Sequence, residues 1–199
     1  KTAAFGLPML NNITNRKAIS SIILAPTREL AIQDHDELVK LAKYEKLNVV
    51  AVYGGAPIHN QIRDIKRANI VVGTPGRVLD HIRRGTLPLD SVEFLVLDKA
   101  YEMLNMGFID DMEEIMKSIP EERQTLLFSA TMPAQIKKLT KKYLKEDSVH
   151  IVIARKELTG STITQNFFEV NNSERFETLC RLIDFDNPSA GIIFFKTKK

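Results

Sequence analysis

A chain of 199 residues is long enough for one full domain and part of another, and its 44% hydrophobic and 27% charged residues are the proportions of an ordinary globular core with a polar surface. No apolar run approaches the roughly 20 residues of a membrane-spanning helix, and no signal peptide is expected ahead of the first patterned segment. The formal charge of +3 permits a nucleic-acid partner without requiring one, and the single cysteine, Cys180, excludes an internal disulfide and points to a reducing compartment.

Along the chain, short β-branched apolar runs alternate with helical patterns. Strands are expected at residues 21–25, 47–52, 69–72, 92–97, 125–128 and 149–153, apolar on both faces as in a parallel sheet covered on both sides. Between them Ile58, Ile62 and Ile65 recur at helical spacing, as do Phe108, Met112, Ile115, Met116 and Ile119. His59 opens the first of these helices and reads as a surface or capping residue. Farther on, Ile136, Leu139, Tyr143 and Leu144 mark one side of a helix whose other side carries Lys137, Lys138, Lys141, Lys142 and Lys145. That basic side reads as a solvated face, with a nucleic-acid contact as the alternative. The repeated β-then-α order predicts an open, mostly parallel α/β sheet with right-handed crossovers and helices on both faces.

The pattern weakens after residue 153. Residues 155–162, charged and then rich in Gly, Ser and Thr, read as a linker between a first domain at 1–154 and the start of a second at 163–199. The second part begins a new β-α-β unit, with strands at 164–170 and 191–195 around a helix from about 173 to 185. Within that helix Cys180 lies among Phe176, Leu179, Leu182 and Ile183, and reads as core rather than as a nucleophile.

Ligands of open α/β sheets gather outside the carboxyl ends of the strands. Those ends carry Pro26-Thr27-Arg28-Glu29-Leu30, Gly54-Gly55, Thr74-Pro75-Gly76-Arg77, Asp98-Lys99-Ala100-Tyr101 and Ser129-Ala130-Thr131. Any one of these is ordinary turn chemistry; repeated along one edge, they line it with hydroxyls, amides, arginines and a carboxylate suited to phosphates. Thr27 and Thr74 are placed to cap the helices they precede, and Pro75 fits a first helical turn. Helix starts attract phosphate. Gly54, Gly55 and Gly76 admit a close backbone approach, and Arg28 and Arg77 supply forked donors. Asp98 ends an apolar strand, where nucleotide hydrolases hold a Mg²⁺ carboxylate.

Taken together these segments resemble the DEAD-box RNA helicases, over essentially the whole chain. Pro-Thr-Arg-Glu-Leu looks like motif Ia, Gly54-Gly55 like the GG element, and Thr74-Pro75-Gly76-Arg77 like motif Ib. Asp98-Lys99-Ala100-Tyr101 stands in the place of Asp-Glu-Ala-Asp, ahead of a family-like Glu102-Met103-Leu104-Asn105-Met106-Gly107-Phe108. Ser129-Ala130-Thr131 looks like motif III, and Ile193-Phe194-Phe195-Lys196-Thr197 like motif IV. The resemblance implies a RecA-like first domain, the beginning of a second RecA-like domain, and an RNA-dependent ATPase that separates short duplexes. It implies ATP and Mg²⁺ as cofactors and RNA as partner; the lack of a long apolar run and the single cysteine add the expectation of no membrane and a cytoplasmic location.

By the same resemblance Thr27, Arg28, Gly55, Thr74, Gly76 and Arg77 would contact RNA phosphates and sugars with little sequence preference. Lys1-Thr2 looks like the end of a Walker A loop, with Lys1 on the β- and γ-phosphates and Thr2, together with Asp98, on Mg²⁺. Asp98, the residue at position 99, Ser129 and Thr131 would form the catalytic group.

Three departures stand out. The given residues lack the P-loop glycines and the strand before them, so the isolated chain is expected to be frail. Lys99 stands where the family has the glutamate that activates water, and a protonated lysine cannot accept that proton. Tyr101 replaces the last aspartate; its phenol could hydrogen-bond to Ser129 or Thr131 but carries no charge at neutral pH. The alternative function is therefore a non-hydrolysing RNA-binding module. A dinucleotide enzyme is disfavoured because no G-x-G-x-x-G joins a strand to a helix.

Overall fold

The computed structural model describes residues 1–152, 163–164 and 166–194, which fall into two compact units, Lys1–Val149 and His150–Lys199. In the first unit β1 (Ser21–Leu24), β2 (Val49–Val52), β3 (Ile70–Gly73), β4 (Phe94–Leu97) and β5 (Gln124–Leu127) form one sheet, ordered β2-β3-β1-β4-β5. Every pairing is parallel; Ile22 of β1 lies opposite Val71 on one side and Leu95 on the other.

Successive strand residues point to opposite faces, so one sheet feeds two cores. Ile22, Leu24, Val71, Leu95 and Leu97 join one, which is closed by α3 (Ile58–Ile65), α4 (Pro75–Arg83), α5 (Ala100–Asn105), α6 (Ile109–Lys117) and α7 (Ala134–Tyr143). Ile23, Ile70, Val72, Phe94 and Val96 join the other, beneath α1 (Thr2–Asn12) and α2 (Arg28–Leu41). Five expected strands are present within a few residues of their sequence bounds. Helix α1 was not anticipated, because Gly6 and Pro8 weaken its helical signal. Gly6 has a packing reason: a Cβ there would lie 2.9 Å from Leu38 Cδ2, so its absence lets α1 settle onto α2.

Helix α7 buries Ile136 and Leu139 as its pattern requires. On its basic side Lys142 pairs with Glu113 at 2.7 Å, and beyond the helix Lys145 pairs with Glu122 at 3.1 Å. Those pairs favour the solvated-face reading over a nucleic-acid contact.

The expected strand at 149–153 does not form over its described residues: Val149 is 84% exposed, and Ile151 and Val152 are also exposed and unpaired, while Ile153 lies outside the described residues. An apolar strand is stable only with a partner to bond and layers to cover it, and the described residues supply neither here. In the second unit α8 (Arg175–Asp186) forms where expected. Thr164, residues 166–170 and residues 191–194 are not in strands, and the expected linker at 155–162 and positions 165 and 195–197 lie outside the described residues. The core reading of Cys180 is corrected as well. The cysteine is half-buried, Phe176 is 79% exposed, and α8 buries none of its residues, because no described sheet stands against its apolar face.

Candidate functional site

Because all five strands run parallel, their carboxyl ends share one edge, and the backbone ladder extends a residue beyond them. Ala25 N donates to Gly73 O (3.0 Å), Thr74 N to Val52 O (3.1 Å), Asp98 N to Leu24 O (2.9 Å) and Phe128 N to Leu97 O (2.9 Å). Each loop therefore starts from a fixed point. In sheet order the edge reads Gly54-Gly55, then residues 74–77, then 26–28, then Asp98-Lys99, then Ser129 to Thr131.

The β2-β3-β1 part gathers the residues expected to meet a sugar-phosphate chain. Thr27 caps α2, its hydroxyl accepting from Leu30 N at 3.3 Å. Thr27→Ala is expected to cost about 1 kcal/mol, read as a lower urea midpoint. Arg28 lies with its guanidinium carbon 5.1 Å from the centre of the Tyr53 ring, and Gly55 beside it has φ +83°, which only glycine adopts without strain. Thr74 holds the N-cap position of α4 with Pro75 following, but its hydroxyl makes no capping bond, contrary to expectation. Gly76 is exposed. Arg77 turns partly inward: its Nη1 donates to Ala56 O at 3.0 Å and to Gln61 Oε1 at 3.1 Å.

The β4-β5 part gathers the residues expected to meet a nucleotide. Asp98 is 4% exposed and its carboxylate receives Lys1 Nζ at 3.0 Å. A carboxylate this buried needs such a partner. Thr2 donates its hydroxyl proton to Asp34 Oδ1 at 2.9 Å. Burial raises the Asp34 pKa above the ordinary carboxylate value, against the lowering effect of the Thr2 bond, and Asp98 and Glu37 push it up further. Among the described residues the other Asp34 oxygen has no hydrogen-bond partner. With its proton committed to Asp34, the Thr2 oxygen keeps its lone pairs, and these with the Asp98 carboxylate are hard oxygen donors of the kind Mg²⁺ accepts. Among the described residues no three His, Cys, Asp or Glu side chains gather into a metal cage. A cation here would take the rest of its coordination from substrate and water.

Lys99 sits in the left-handed region at φ 52°, ψ 47°, at the sharp passage from β4 into α5. For a non-glycine residue this conformation costs roughly 1–2 kcal/mol. Tyr101 packs half-buried against the core. Its expected bond to motif III is not made: Ser129 Oγ donates instead to Thr131 O at 2.7 Å, and Thr131 is exposed. That two-residue turn satisfies the serine locally, before the phenol can compete.

Three residues went unnoticed in the sequence: Asp34, Gln61 and His81, all buried. Each had a faint signal, a polar residue standing in the apolar stripe of its helix. Asp34 falls between the buried Ala31 and Leu38, and Gln61 lies one turn before the buried Ile65. His81 Nε2 meets Gln61 Oε1 at 3.0 Å and its Nδ1 meets Thr86 Oγ1 at 2.9 Å. Burial lowers the His81 pKa below the ordinary 6.5, and Arg77 and Arg84 lower it further against the opposing pull of Asp80. The unfolded chain then takes up this proton before the folded one does. Stability is expected to fall as pH drops below about 6.5 and to level off beneath the folded pKa. Melting temperatures between neutral pH and about pH 5 check this, with His81→Gln expected to flatten the slope.

A model of the DEAD/DEAH box helicase family matches residues 1–139. The chain belongs to that family. It is 53% identical to the ATP-dependent RNA helicase CshA of Listeria monocytogenes, covering all of this chain and 38% of that one. It is 49% identical to the DEAD-box ATP-dependent RNA helicase CshA of Bacillus subtilis, covering all of this chain and 40% of the relative. The chain thus spans about two fifths of the length of these helicases. The crystal structure of a DEAD box protein from the hyperthermophile Methanococcus jannaschii superposes with a TM-score of 0.73 at 49% identity, over 92% of this chain and 49% of that one. The sheet with its two helix layers is accordingly the RecA-like fold of DEAD-box proteins.

Proposed function

We propose that the protein is an ATP-dependent RNA helicase that grips single-stranded RNA by its backbone and opens short duplexes, with this chain forming one wall of the ATP and RNA sites. The division of the strand-end edge carries the reading. Thr27, Arg28, Gly55, Thr74, Gly76 and Arg77 fall on the β2-β3-β1 part, and Asp98, Lys99, Ser129 and Thr131 on the β4-β5 part, where Lys1 meets Asp98 while its neighbour Thr2 bonds Asp34 of α2. A nucleotide and an RNA strand can then lie side by side on one rigid sheet.

In this reading residues 1–154 form the first RecA-like domain, 155–162 the linker and 163–199 the start of the second. Arg28 and Arg77 would meet RNA phosphates, with helix starts at Thr27 and Thr74 adding backbone donors. Lys1 would exchange Asp98 for the β- and γ-phosphates. Thr2 and Asp98 would hold Mg²⁺, which when bound neutralises charge on those phosphates. Among the described residues no helix is long and apolar enough to cross a membrane. A cytoplasmic location is part of the same proposal, resting on the single cysteine of the sequence, which fits a reducing compartment.

Residues 1–199 alone are expected to show no RNA-stimulated ATP hydrolysis, because the second wall of the cleft supplies the groups that reach the γ-phosphate from the other side. Measurable turnover by this fragment sinks that expectation. Binding of single-stranded RNA should weaken steeply with added salt, as phosphate-dominated binding does; affinity indifferent to salt would count against the RNA reading. Lys99 favours a second reading, an RNA clamp that binds ATP without hydrolysing it. It predicts the same salt-sensitive RNA binding from a full-length protein that shows no turnover.

A further inference from the structure

Beneath the loop at residues 53–56 lies a chain of largely buried hydrogen bonds. Gln61 Nε2 donates to Tyr53 O at 3.0 Å. Gln61 Oε1 receives Arg77 Nη1 at 3.1 Å and His81 Nε2 at 3.0 Å. The amide oxygen requires a proton on His81 Nε2, which leaves Nδ1 an acceptor 2.9 Å from the Thr86 hydroxyl, whose one proton is shared with His81 O at 3.1 Å. The same Arg77 nitrogen reaches Ala56 O at 3.0 Å. The loop is therefore pinned at both shoulders, at Tyr53 by Gln61 and at Ala56 by Arg77, with Gly54 and Gly55 exposed between them.

Gln61 is only 6% exposed and His81 is fully buried, so neither is placed to act as an RNA contact. An apolar side chain could fill the same space without the risk of an unsatisfied amide or imidazole. What the polar chain supplies instead is geometry. Two adjacent glycines left to themselves sample many backbone conformations, and an untethered arginine must be ordered when it binds a phosphate.

We propose that Gln61, backed by His81, is a positioning residue for RNA-backbone binding, holding the Gly54-Gly55 backbone and the Arg77 guanidinium in one preset arrangement at the strand-end edge. The inference rests on the RNA reading above. Gln61 acts through the loop and Arg77, so it lowers the ordering needed when RNA binds and leaves the nucleotide half of the edge untouched.

The test is a fluorescence-anisotropy titration of the full-length protein with a labelled oligouridylate of about ten nucleotides, beside a titration with a fluorescent ADP. Gln61→Leu is expected to weaken RNA binding roughly tenfold, the scale of ordering a loop and one long side chain, and to leave ADP affinity unchanged. In an Arg77→Ala background the same substitution should cost little more, because the two act as one unit. RNA affinity unchanged by Gln61→Leu, or losses that simply multiply with Arg77→Ala, overturns the inference while leaving the RNA reading standing. Should the leucine protein fail to fold, Gln61→Glu keeps the volume and the acceptor oxygen but sets an oxygen against Tyr53 O. It should weaken RNA binding too, and unaltered affinity there is equally fatal. Failure of the unsubstituted protein to bind the oligouridylate removes the RNA reading itself, and the inference with it.

Discussion

Lys99→Glu together with Tyr101→Asp is expected to raise RNA-stimulated ATP hydrolysis by the full-length protein about 10²–10⁴-fold, the usual contribution of a positioned general base. The comparison is clean at position 99. Lysine there already occupies the left-handed conformation at φ 52°, and glutamate carries the same backbone penalty, so charge and proton affinity change while the backbone cost does not. Position 101 is less conservative: Tyr101 packs against the core, and an aspartate there gives up that contact. Lys99→Glu alone should therefore recover most of the rate, and the second substitution should act on the coupling between RNA and hydrolysis. The assay is steady-state phosphate release with and without RNA. Equal turnover by the natural and substituted proteins would show that Lys99 is not a lost base and that the hydrolysing water is activated elsewhere.

Gly73→Ala is expected to destabilise the first unit by about 1–3 kcal/mol, the range for overpacking a close-packed site. A Cβ at Gly73 would lie 2.6 Å from Val52 Cγ2, 2.6 Å from Val78 Cγ2 and 2.7 Å from Val52 O. Side chains can turn aside, but the Val52 carbonyl cannot: it accepts the Thr74 amide at 3.1 Å and so fixes the start of the next loop. Relief must come from sliding β3 against β2, which would carry residues 74–77 away from Gly54-Gly55. Thermal melting should show a midpoint lower by about 2–12 °C for a unit of this size. RNA affinity should fall with it even at temperatures where the protein is folded. An unchanged midpoint would mean that the edge yields more easily than a parallel ladder should.

Much of the fold is legible in the sequence. Residues 21–24, 70–73 and 94–97 are apolar at every or nearly every position, and the structure buries all of them, because only a sheet covered on both faces hides such a run. Helices α3 and α6 declare themselves by isoleucine and methionine spacing. Helix α1 does not, since its glycine and proline oppose helix locally and its contact with α2 is decided by packing. The strands expected at 149–153, 164–170 and 191–195 were wrong over their described residues for a related reason. A strand is a property of two segments, and a local pattern names only one of them.

The candidate site divides in the same way. Residue type and order alone placed hydroxyls, glycines, arginines and Asp98 at strand ends, because parallel strands joined by helices bring every carboxyl end to one edge. Which groups then bond was beyond the sequence. Thr2 with Asp34, Lys1 with Asp98, and Gln61 between Tyr53, Arg77 and His81 join positions 16 to 97 residues apart, or 8 in the case of Tyr53. Ser129 turned to Thr131 and away from Tyr101, a choice set by local distance. Periodicity and residue type were enough for five parallel strands, the alternation of strand and helix and the chemistry available at the sheet edge, since these are local properties. Only the tertiary structure decided which side chains face outward toward a ligand and which are spent holding others, because that depends on burial and on partners brought together from distant parts of the chain.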